Sequence, residues 1–66
     1  MTILLNGNEH ECPDGYTVAQ LLEQLGIQTA GTAVARNETV VRKAVHAETV
    51  LQPGDRVEII RAVAGG

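Results

Sequence analysis

Sixty-six residues are enough for one domain and no more. Five basic against eight acidic residues leave a net charge of -3, and the only aromatic residue is one tyrosine. That excludes the basic patch and stacking platforms that nucleic-acid binding requires. At 44% apolar and 20% charged, the composition is that of a folded globular chain rather than a disordered one. A single cysteine cannot close an internal disulfide. The start, Met1-Thr2-Ile3-Leu4-Leu5, lacks the basic region of a secretion signal, and no apolar run approaches a membrane span. The chain therefore reads as cytoplasmic, with no membrane contact.

Taken in order, Thr2–Asn6 is a short apolar run that ends in Asn6-Gly7, the strongest short-range hairpin signal because both residues tolerate positive φ. The returning strand is expected over Glu9–Cys12 and, being polar, at an edge of the sheet. Pro13-Asp14-Gly15 turns the chain. Thr17 with Gln20 forms a capping box, followed by Val18, Leu21, Leu22 and Leu25 on one helical face. Gly26 stands where a left-handed C-terminal cap is wanted. Ala33–Arg36 predicts a third strand, Asn37-Glu38 a turn, and Thr39–Val41 a fourth strand. Arg42–Val50 shows no clear pattern beyond room for a helical turn before Leu51. Pro53-Gly54-Asp55 is a second firm turn, and Arg56–Ala62 the last strand.

The order β-β-α-β-β-β implies an α+β fold. A mixed sheet of about five strands carries one helix across one face, with the first and last strands parallel in the middle. This is the β-grasp arrangement. Residues 1–63 are expected to form the domain, and Ala64-Gly65-Gly66 a flexible tail. Alternation in the last strand turns Val57 and Ile59 toward the helix and leaves Glu58 and Ile60 outside. Leu4, opposite in sense to Ile3 and Leu5, is expected beside Ile60 on the open face. Val34 would extend this partner-binding patch, with Glu58 and Arg36 as its polar rim.

Searches for chemistry inside the domain find little. There is no phosphate-cradling glycine loop, no paired-cysteine metal spacing and no nucleophilic triad. His10 and Cys12, two apart, are too few for a zinc site, so no metal is expected. His46 reads as an exposed loop residue. The end of the chain is different. Two terminal glycines have no Cβ to obstruct a narrow channel in another protein, and a carboxylate on Gly66 is chemically useful once activated. Attack on the α-phosphate of ATP would give an acyl-adenylate, from which a sulfur or nitrogen nucleophile displaces AMP.

These residues resemble the ThiS family of sulfur carriers of thiamine biosynthesis over essentially the whole chain. The matching pieces are Ile3-Leu4-Leu5-Asn6, Thr17-Val18 with Leu21–Leu25, Asn37 with Val40-Val41-Arg42, Leu51 with Gly54–Ile59, and Val63-Ala64-Gly65-Gly66. The resemblance implies a carrier rather than an enzyme. It implies that an E1-like adenylyltransferase (ThiF-like) activates Gly66 with ATP, and that the chain itself binds no cofactor. It further implies a thiocarboxylate with sulfur from a cysteine desulfurase, and a thiazole synthase (ThiG-like) as acceptor. The family's tryptophan after Val41-Arg42 has no counterpart here, where Val45-His46 stands. The alternatives are the small subunit of molybdopterin synthase, a β-grasp binding module acting through its sheet, and a protein modifier.

Overall fold

The computed structural model describes residues 1–61. Its elements are β1 (Thr2–Leu5), β2 (Asn8–Glu11), α1 (Val18–Leu25), β3 (Thr32–Arg36), β4 (Thr39–Val41), a 3-10 turn (Lys43–Val45) and β5 (Arg56–Arg61). The five strands form one sheet in the order β2-β1-β5-β3-β4. β1 and β5 run parallel at its centre, and the other pairs are antiparallel.

Asn6 and Gly7 adopt φ of 50° and 85°, the two positive values of a tight hairpin turn, and set Leu5 opposite Asn8. β2 therefore begins one residue earlier than the sequence suggests and ends at Glu11. Cys12 lies beyond it, although its N–H still bonds the Met1 carbonyl at 3.0 Å. Asn37 and Glu38 repeat the device with φ of 51° and 71°, pairing Arg36 with Thr39.

The helix carries the expected capping box. Thr17 Oγ1 accepts from the Gln20 N–H at 3.1 Å, and Gln20 Oε1 accepts from the Thr17 N–H at 2.9 Å. Gly26 closes the other end at φ 71°. Val18, Leu21 and Leu22 are buried, while Leu25 is only half-buried and packs at the rim of the core. They meet Ile3, Val34, Leu51 and Val57 beneath the helix.

The segment 42–50 gains its shape from what the helix lacks. The first N–H groups of a helix have no partner within it. Here Val18 N–H donates to the Thr49 carbonyl at 3.0 Å and Ala19 N–H to the His46 carbonyl at 3.1 Å. An isolated bridge between Thr17 and Val50, and a bond from Leu51 N–H to the Tyr16 carbonyl at 2.7 Å, complete the seam. His46 is thus not an exposed loop residue. It is 3% exposed, with Nε2–H donating to the Val41 carbonyl at 2.9 Å, while Nδ1 is buried without a partner among the described residues.

Candidate functional site

The residues with the strongest sequence signal, Ala64, Gly65 and Gly66, lie outside the described residues. What the structure provides is the strand that leads to them. β5 is held on both sides, by β1 and by β3, and Thr32 is paired with Arg61 at its end. Asn6 Oδ1 accepts from the Ile59 N–H at 2.8 Å, extending the hold on β5 beyond the ladder with β1. The last described residues are therefore fixed in the middle of the sheet.

The opposite end of β5 is anchored through Asp55, a buried carboxylate. It accepts from Arg36 Nε at 2.6 Å, Asn37 Nδ2 at 3.1 Å and the Gln52 N–H at 2.8 Å. Burial pushes its carboxyl up. The hydrogen bonds from Gln52, Arg36 and Asn37, with the Arg36 charge, outweigh that effect and hold it below its ordinary value.

The open face of the sheet follows from strand alternation and register. Ile60 is 64% exposed and stands opposite Ala33, and Glu58 is exposed opposite Ala35. Two of the expected patch residues are elsewhere. Val34 is 1% exposed and paired with Ile59 on the helix side, because the core takes the larger valine and the sheet turns Ala33 and Ala35 outward. Arg36 shares the sense of Val34 and is half-buried against Asp55, so it is not part of the open-face rim. Leu4 is on the open face but opposite Arg56, four residues from Ile60 along β5 or about 13 Å. It lines a shallow depression with Gly7, Glu38, Arg56 and Glu58 instead of touching Ile60.

A residue the sequence reading missed completes the apolar half of this face. Val40 on β4 is 70% exposed and lies opposite Ala35. The signal was available, since a two-residue turn at Asn37-Glu38 fixes that register. The face thus has an apolar quarter of Ile60, Ala33, Ala35 and Val40. Its other side carries Glu58 with Glu9 and Glu11 of β2.

His10 and Cys12 are otherwise engaged. His10 Nε2–H donates to Gln24 Oε1 at 2.9 Å. The Cys12 thiol is buried; burial pushes its pKa up, the Met1 ammonium works against this, and Glu11 and Asp14 add to the rise. A neutral buried thiol is a poor nucleophile. Among the described residues no three His, Cys, Asp or Glu side chains gather as a metal site would need, and no helix is long and apolar enough to cross a membrane.

One helix laid across a five-stranded mixed sheet with parallel central strands defines a ubiquitin-like β-grasp protein. Comparison with known proteins narrows this further: the ThiS family profile matches residues 3–66, and the chain belongs to that family. It is 39% identical to the sulfur carrier protein ThiS of Escherichia coli over 66 residues, all of both chains. A thiazole synthase of Paramagnetospirillum magneticum is 35% identical over the whole of this chain, which spans 20% of that protein. The crystal structure of the thiamine biosynthesis protein ThiS from Geobacter metallireducens superimposes with a TM-score of 0.87 at 26% identity, covering 100% of both chains.

Proposed function

We propose that this chain is the sulfur carrier of thiamine biosynthesis, with the Gly66 carboxylate as the group that carries sulfur. The observation that carries the reading is the end-to-end correspondence with the E. coli carrier, over 100% of both chains, within a family match that runs to residue 66. The chemistry requires an activated carboxylate. An E1-like adenylyltransferase joins the carboxylate to the α-phosphate of ATP with loss of pyrophosphate. A persulfide, its outer sulfur drawn from a cysteine desulfurase, then displaces AMP to give an acyl disulfide, and a thiolate cleaves the S–S bond to leave the thiocarboxylate and a new disulfide. Segments resembling this chain within thiazole synthases support an enzyme of that class as the acceptor.

The domain acts in this reading as a handle and not as a catalyst, working in the cytoplasm with no cofactor of its own. β5 delivers the tail, and Ile60, Glu58 and Leu4 on the open face, with Val40 beside them, dock on the adenylating enzyme. A terminal Gly65-Gly66 then enters a channel too narrow for side chains.

The test is intact mass spectrometry after incubation with the adenylyltransferase, ATP and a sulfur source. The expected gain equals the replacement of one oxygen by sulfur, located to Gly66 by fragmentation. An unchanged mass in a mixture that converts the E. coli carrier would sink the proposal.

A further inference from the structure

We propose that the free edge of β4 pairs with the same edge of a second copy, joining two sheets into one about a twofold axis at Val40. The two outer strands of the sheet are differently equipped. In a hairpin with a two-residue turn, the residues flanking the turn exchange backbone hydrogen bonds, and every second pair thereafter does the same. On β4, Arg36–Thr39 and Val34–Val41 are therefore the bonded pairs, and the N–H and C=O of Val40 point away from the sheet. The phase agrees with the next ladder, where Asn37 N–H bonds the Arg56 carbonyl at 2.7 Å and so turns Ala35 toward β5.

By the same rule Glu9 and Glu11 hold the outward backbone groups of β2. A second copy of β2 laid against them would set carboxylate against carboxylate, a common protection of sheet edges. β4 presents Val40, 70% exposed, in the corresponding place. Its extended conformation continues one residue past the strand, since Arg42 has φ -69° and ψ 148°.

Antiparallel pairing of two β4 strands about Val40 sets Thr39 opposite Val41. It also brings Glu38, the turn residue just ahead of the strand, to the same end of the contact as Arg42 of the other copy, twice over by symmetry. Both side chains are exposed, and among the described residues Glu38 has one distant partner, Arg56 at 3.9 Å. Slipping the register one step in either direction places Glu38 or Arg42 against Val40 and loses both ion pairs. The charge pattern therefore selects a second copy of this chain in one register. The apolar quarter of Ile60, Ala33, Ala35 and Val40 becomes continuous across the axis. The two β5 strands run in opposite directions, so their ends at Arg61 leave from opposite sides of the pair. The contact is small beside the roughly 1,200 Å² of a stable complex, so the dimer forms weakly, at about 0.1–1 mM.

The experiment follows amide resonances of the isolated chain from about 0.02 to 2 mM, a range that brackets so weak an association. Shifts that grow with concentration should centre on residues 38–42, with intermolecular contacts between the two Val40 residues in a sample mixed from labelled and unlabelled protein. Val40→Pro removes an N–H that serves no internal ladder and should abolish these shifts. Arg42→Glu should weaken association at least about fivefold, and the exchanged double variant Glu38→Lys with Arg42→Glu should restore it. The double variant keeps the test decisive if proline disturbs the fold. Resonances that stay put to the highest concentration overturn the proposal, as do shifts that map to β2 or the middle of the open face. A charge exchange that fails to restore association, or pairing seen only with a strand of another protein, also overturns it.

Discussion

Arg36 Nε lies 2.6 Å from Asp55 Oδ2, joining the end of β3 to the turn that launches β5. The contact is reinforced by Asn37, whose Nδ2 donates to the other carboxylate oxygen at 3.1 Å and whose Oδ1 accepts from the Arg56 N–H at 2.9 Å. Two turns far apart in sequence are thereby locked at one end of the sheet. The central strand is fixed where it begins, at the end remote from Arg61.

Asp55 should give the fold a measurable acid sensitivity. Its carboxyl is held below its ordinary value, so the ionised form stabilises the folded state at any pH above about 4, where the unfolded side chain is also ionised. That contribution is lost as the pH falls through the lower, folded-state value. Asp55→Ala should cost about 1.5–3 kcal/mol at neutral pH, the worth of hydrogen bonds to a charged group. Urea midpoints measured from pH 7 down to 2 should fall less steeply for the variant than for the native chain. Parallel slopes would remove Asp55 as the source.

The helix should show a gradient of sensitivity along its apolar stripe. Leu21 is 0% exposed and Leu22 3%, whereas Leu25 is half-buried. Leu21→Ala and Leu22→Ala should each cost about 2–5 kcal/mol, a large fraction of the stability of so small a domain. Leu25→Ala should cost clearly less, and Thr17→Ala about 1 kcal/mol through the lost cap. Equal denaturation midpoints for Leu22→Ala and Leu25→Ala would contradict the packing.

Where local chemistry dictates conformation, the sequence was legible. Asn6-Gly7, the Thr17–Gln20 box and Gly26 each specify a backbone geometry through their own atoms, and each adopts it, while at Asn37-Glu38 only the asparagine favours the positive φ that both residues adopt. The helix face and the parallel central strands followed from periodicity and connection. Residues 42–50 were not legible because their partners are the helix's unpaired N–H groups at Val18 and Ala19, some thirty positions earlier. His46 was misread for that reason, a polar side chain drawn inward along with its backbone. Val34 and Arg36 were misplaced because Thr32-Ala33-Val34-Ala35-Arg36 alternates weakly, with apolar residues on both faces. Only the pairing of Val34 with Ile59 decides which face is buried.

Chain length should matter as much as chemistry at the terminus. A carboxyl carbon that must reach a fixed point beside a nucleotide tolerates little displacement. Deleting Gly66, or adding one alanine after it, should abolish adenylation by the E1-like partner, measured as pyrophosphate release, while leaving the denaturation midpoint unchanged. Undiminished turnover of the extended chain would show that the carboxylate at position 66 is not the reacting group.

The docking face is best tested by a pair of substitutions that differ only in which side of the sheet they touch. Ile60, 64% exposed, meets water in the free protein, so Ile60→Asp should change stability by no more than about 1 kcal/mol. Val34, 1% exposed, lies under the helix, and Val34→Asp should destabilise by roughly 3–5 kcal/mol as an unpaired charge enters the core. If the open face docks on the adenylating enzyme, Ile60→Asp should also weaken that complex by more than about 1 kcal/mol, as expected of an interface hot spot. Calorimetric titration of the folded Ile60→Asp variant against the partner measures this directly. Retained affinity would move the contact off the Ile60 quarter, and the acidic side around Glu58 and Leu4 would then be the surface to substitute.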